Sequence, residues 1–109
     1  VVVLEYKTKA IRAEQAQLKS PARGLLYTLG LLQRIQTGKR AVVTAIVAGP
    51  HMETSLHWEG RAFDLRSKHL SDDDKQAFAQ IARFVVGIFG GKVLLESAGT
   101  PNEHFHIQV

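Results

Sequence analysis

Residues 102–109 read NEHFHIQV and residues 61–66 read RAFDLR, and the alternation within these two stretches decides the architecture. In the first, Phe105, Ile107 and Val109 form an apolar set, with His104, His106 and Gln108 between them. In the second, Phe63 and Leu65 alternate with Ala62, Asp64 and Arg66. Successive side chains of a strand point to opposite faces. Both stretches therefore read as strands of a sheet with one apolar, covered face. The other face carries an aspartate and two histidines.

Working outward, residues 92–96 (KVLLE) form a further strand, joined to residues 103–109 by the turn at 97–102. Before it, Ser71-Asp72-Asp73-Asp74 opens a helix: serine is a good N-cap, and acids in the first turn meet the positive end of the helix dipole. Phe78, Ile81, Ala82, Val85 and Ile88 then fall on one stripe, to be buried, until Gly90-Gly91 ends the helix. Upstream, residues 40–48 (RAVVTAIVA) are a β-branched run typical of a buried central strand, stopped by Gly49-Pro50. Leu25, Leu26, Leu29, Leu32 and Ile35 recur at helical spacing between a Ser20-Pro21 start and a Thr37-Gly38 stop. Residues 9–19 are rich in helix formers, and residues 1–6 are a short strand or an ordered terminus. Residues 51–60 have no period and read as an ordered loop. The sum is an α+β domain with a mainly antiparallel sheet, helices on one face and the polar residues on the other.

Composition sets the outer limits. At 109 residues the chain is one domain, 1–109, able to build a core without covalent staples. It opens on Val1 rather than methionine, as a trimmed or processed N-terminus would. Cysteine is absent, so disulfides and thiolate ligands are excluded and any metal must be held by histidine and carboxylate. No apolar stretch approaches the ~20 residues that cross a bilayer. The formal charge of +4 comes from scattered cations with no interleaved aromatics, so nucleic acid is not an expected partner.

The chemistry gathers in SLHWEGRAFDL (residues 55–65) and NEHFHIQV. Asp64 shares the polar sheet face with His104 and His106, and the loop delivers His57 beside them. Imidazole and carboxylate groups converging with one position left open suit a zinc ion.

SLHWEGRAFD closely resembles the SLHYEGRAVD segment of hedgehog signalling domains. It also fits the Ser-x-His-x-x-Gly-x-Ala-x-Asp pattern of zinc D-alanyl-D-alanine carboxypeptidases, dipeptidases and phage endolysins. The resemblance extends through IARFVV (81–86), VLLES (93–97) and HFHIQV, about the C-terminal two-thirds of the chain. It implies one zinc ion on His57, Asp64 and His106, on a hedgehog or D,D-peptidase-like fold. It implies two alternatives for a general base, Glu103 and Glu96, of which Glu103 is the preferred one. Glu103 stands three residues before His106, where the cell-wall peptidases carry their acid. Glu96 ends the preceding strand, where hedgehog domains place a glutamate; strict alternation turns Glu103 away and favours Glu96, whereas a bulge would favour Glu103. His104 is placed to hydrogen-bond an oxyanion. His51 is placed to face the site, Ser55 to support the metal loop, Trp58 to wall the cleft and Arg61 to meet a substrate carboxylate. Gly60 and Ala62 imply close backbone approach.

The implied activity is a zinc peptidase on peptidoglycan peptides, D,D- or L,D-type, of bacterial or phage origin; its place would be the cell envelope, extracellular or phage-associated. The alternative is a non-catalytic, hedgehog-like zinc domain that binds a protein or glycan. Three departures bear on this choice. The strand over residues 42–48 lacks the arginine with which many cell-wall peptidases grip a carboxylate, and hedgehog's calcium-binding acidic cluster and N-terminal lipidated cysteine are also missing.

Overall fold

The computed structural model describes residues 3–47 and 59–109. Strands β1 (Leu4–Tyr6), β2 (Ala41–Ala45), β3 (Ala62–Arg66), β4 (Lys92–Glu96) and β5 (His104–Gln108) form a sheet in the order β1-β2-β3-β5-β4. Helices α1 (Lys9–Glu14), α2 (Ala22–Thr37) and α3 (Asp72–Ile88) complete an α+β fold, with a short 3-10 turn at Gln15–Gln17. The sheet is mixed. β1 runs parallel to β2, and the other pairings are antiparallel. The parallel pair follows from the long α1–α2 connection, which returns the chain to the end of the sheet from which it left.

The helices start and stop where local chemistry directs them. The Ser71 hydroxyl accepts from the Asp74 N–H at 3.2 Å, capping α3 behind three aspartates. α2 ends at Gly38, whose φ of 76° is cheap only for glycine and whose N–H bonds the Arg34 carbonyl at 3.0 Å. Two sequence expectations need correction. Ser20 does not cap α2: Pro21 occupies the cap position and no side chain bonds the free N–H groups there. Ile88 is not buried but 67% exposed, because the stripe of α3 that meets the sheet runs through Phe78, Ala79, Ala82 and Val86. Ile88 lies well round the helix from that line.

The apolar face reads as the alternation predicts. Phe63, Leu65, Phe105 and Ile107 are fully buried, together with Leu26 and Leu29 of α2 and Phe78 of α3. The Phe78 and Phe105 rings meet edge to face with centroids 5.4 Å apart. Among the described residues no helix is long and apolar enough to cross a membrane.

Entry into β3 is fixed by Gly60. Its φ is +70°, and a Cβ there would lie 2.3 Å from the Gln17 carbonyl oxygen. Its own carbonyl accepts from the Lys19 N–H at 2.9 Å. Because the obstruction is backbone, no side-chain rotation relieves it. Gly60→Ala is therefore expected to cost more than about 2 kcal/mol, from the left-handed conformation and the overlap together. A urea melt checks this, with Gly24→Ala, an open helical position, as the comparison.

Candidate metal centre

Register assembles the site. Asp64 of β3 lies directly across from His106 of β5, and Arg66 across from His104. On the other side of β5, His106 faces Leu94 and His104 faces Glu96 of β4. Residues in register share a face, so Asp64, Arg66, Glu96, His104 and His106 stand together opposite the helix-covered side. At the same level β2 carries an irregularity: Val43 pairs with Leu65 but Ala45 pairs with Asp64, leaving Thr44 as an extra residue. A bulge of this kind twists the strand next to Asp64.

The two histidines bracket the Asp64 carboxylate. His106 Nδ1 is 3.0 Å from Oδ1, and His104 Nε2 is 3.6 Å from Oδ2. His104 Nε2 also lies 3.0 Å from Glu96 Oε1. Each ring is held by its other nitrogen. His104 Nδ1 donates to the Asn102 carbonyl at 2.6 Å, and His106 Nε2 donates to the Gln108 side-chain oxygen at 2.9 Å. The Asn102 carbonyl fixes the tautomer of a neutral His104, whereas both nitrogens of His106 face acceptor oxygens, as suits an imidazolium. His104 Nε2 is then an acceptor facing carboxylate oxygens, and His106 Nδ1 faces one as well. Acceptors gathered this way repel unless a cation lies among them, either a proton or a metal ion. With a proton the site is an imidazolium–carboxylate pair, and the His106 pKa is raised, first by its hydrogen bond with Asp64.

The donor set is one that binds metal ions. Asp64, Glu96 and His104 could hold a metal ion, their ligand atoms lying within 4.8 Å of one another. Zinc bonds of ~2.0–2.1 Å in tetrahedral array put neighbouring donors about 3.3 Å apart. The observed 3.0 and 3.6 Å contacts fall on either side of that figure. A second acceptor on each ring nitrogen's far side is also the usual support for a metal-binding histidine.

Glu103 stands elsewhere. Its buried carboxylate points to the helix side, where Oε2 accepts from Lys75 Nζ of α3 and from the Ser67 hydroxyl, each at 2.8 Å. Oε1 accepts from the Gly99 N–H at 3.3 Å. Those donors, Lys75 first and Ser67 next, pull its pKa from 4.5 down to about 2. Glu103 thus clips the β4–β5 turn to α3 and to the end of β3. Because its folded pKa lies below the unfolded value, ionised Glu103 stabilises the fold fully above about pH 4.5. That contribution drains as the pH falls towards 2. Glu103→Gln is expected to flatten the stability–pH curve across this window, as followed by urea melts at successive pH values.

Arg61 is exposed and donates through Nε to the Val109 carbonyl at 2.8 Å, alongside the outer end of β5. Ala62 is fully buried. His51, Ser55, His57 and Trp58 lie outside the described residues. Sequence reasoning missed the Lys75–Glu103–Ser67 clip and the Asn102 and Gln108 supports of the histidines. Only the two-residue spacing of Gln108 from His106 offered a signal for the last of these. Comparison with known protein families and with curated proteins finds no match.

Proposed function

We propose that the chain is a zinc-dependent peptidase acting on peptidoglycan peptides, with D,D- or L,D-type specificity and a bacterial or phage setting. One observation carries the reading. Two carboxylates and two histidines converge on the polar face of the sheet. The resemblance of residues 55–64 and 104–109 to the zinc peptidases adds the reaction class.

Asp64 and His106 would hold the zinc, with His57 as the third ligand that the resemblance implies, and the ion would supply Lewis acidity at the peptide carbonyl and the attacking water. Glu96 is the general base. It closes β4 with its carboxylate partly exposed and Oε1 in contact with His104 Nε2. There it takes the proton from water and passes it to the leaving amine. While Glu96 is protonated, its O–H donates to His104 Nε2, which the Asn102 carbonyl keeps as an acceptor. Glu103 is a weaker candidate for the base, because its oxygens are occupied by Lys75, Ser67 and Gly99.

Purified peptidoglycan should be digested with the protein in zinc and in chelator, and the products identified by mass spectrometry. Zinc-dependent release of peptide fragments or free D-alanine is expected. A zinc-loaded protein that binds these peptides without cleaving them would make the domain a non-catalytic binder.

A further inference from the structure

Beside the candidate metal centre, an open cleft of about 350 Å³ lies where α2 hands over to β2. Arg34, Lys39, Arg40 and Arg66 line it, with His69 at its wall and Glu5 the sole carboxylate among the described residues that line it. The register explains the assembly. Glu5 pairs with Val42, Val42 follows the Val43–Leu65 pairing towards Arg66, and Arg66 pairs with His104. The cleft is thus continuous with the polar face, about one strand spacing of ~5 Å from His104.

The charges in this cleft are poorly balanced. Arg34 is hydrogen-bonded to the Gly38 carbonyl and Lys39 Nζ to the His69 carbonyl at 2.7 Å. Carbonyl oxygens satisfy these donors without cancelling their charge. Arg40 meets Glu5 at 3.5 Å, a half-exposed pair of small energetic consequence. The Arg66 guanidinium, on a half-buried residue, makes no hydrogen bond or ion pair among the described residues. Four cations facing one carboxylate focus a positive potential in the concavity. Arg66 adds a planar fork of donors matched to two oxygens of one group.

We infer that this cleft is an oxyanion-binding site, taking a carboxylate or phosphate group of a small ligand, with Arg66 as its bidentate anchor and Arg40 as its second cation. The volume is at the small end of ligand sites and suits one anionic group and its immediate attachment. The inference stands apart from the hydrolytic reading, since it needs neither zinc nor turnover.

The test is an NMR titration of the whole chain with inorganic phosphate and with succinate, at constant ionic strength, in zinc and in chelator. Saturable shifts at Arg66, Arg40 and His69, with a dissociation constant of about 1–10 mM, are expected in both metal conditions. Tighter succinate binding assigns a carboxylate ligand, and tighter phosphate binding a phosphate ligand. Arg66→Gln should weaken binding at least about tenfold, the loss of a charge-assisted bidentate contact. Arg40→Gln should act in the same direction and serves as the second variant if Arg66→Gln does not fold. Arg23→Gln removes the same charge near the far end of α2 and should leave the affinity unchanged. Shifts spread without saturation over the surface cations would overturn the site. So would unaltered affinity in a folded Arg66→Gln or Arg40→Gln, or binding that vanishes with chelator, which would put the anion on the metal.

Discussion

Glu96→Gln is expected to lower zinc-dependent peptide hydrolysis by about a hundredfold or more, the usual contribution of a general base, with little change in stability. Glu103→Gln should do the opposite. Its carboxylate is buried between Lys75 and Ser67, so the amide leaves Lys75 with only the longer, exposed contact to Asp72 at 3.8 Å. The expected cost is about 1.5–3 kcal/mol of stability, the range for hydrogen bonds to charged groups. Turnover per folded molecule should change only modestly. Chemical denaturation and initial rates on one peptide substrate, measured on both variants, separate the two roles. If Glu103→Gln is stable but inactive while Glu96→Gln retains its rate, the base has been assigned to the wrong glutamate.

The difficulty of choosing between these glutamates from sequence has a physical origin. Alternation along residues 104–108 placed His104 and His106 on one face because a strand has a period of two and the covered side demands Phe105 and Ile107. The same rule placed Asp64 opposite Phe63 and Leu65. Cross-strand register then brought Asp64 against His106 and Glu96 against His104, which no local pattern specifies. Glu103 precedes the first residue of β5, where alternation holds only if no bulge intervenes. Its position is set by Lys75 of α3, twenty-eight residues upstream. Such a partner is legible only once the helix has been docked. The parallel β1–β2 pair escaped for a similar reason: three residues of strand carry no sign of direction. Helix ends were the opposite case. Ser71 and Gly38 act through atoms within one turn of the chain, and their signals held. Ser20 failed because Pro21 took the cap position.

Asp64→Ala is expected to abolish stoichiometric zinc binding, because this carboxylate touches both candidate histidine ligands through its two oxygens. Outer supports of a zinc site alone are worth 10- to 100-fold in affinity, so loss of a ligand should exceed about a hundredfold. Zinc at a hundred times its dissociation constant stabilises a fold by about 2.7 kcal/mol. In a chain of this size that corresponds to a melting temperature on the order of 10 °C higher. Chelator should therefore lower the wild-type melting temperature by that order and leave the Asp64→Ala melt unmoved. Metal analysis of His104→Ala and His106→Ala then locates the ion among the donors. Zinc retained in His104→Ala and lost in His106→Ala supports the set that includes His57 and leaves His104 as the partner of Glu96. The reverse result puts the ion in the Asp64–Glu96–His104 group. It also removes Glu96 from the role of base, since coordination to a dication lowers the basicity of a carboxylate. A full zinc complement in Asp64→Ala would exclude both arrangements, leaving the close His106–Asp64 contact as an imidazolium ion pair.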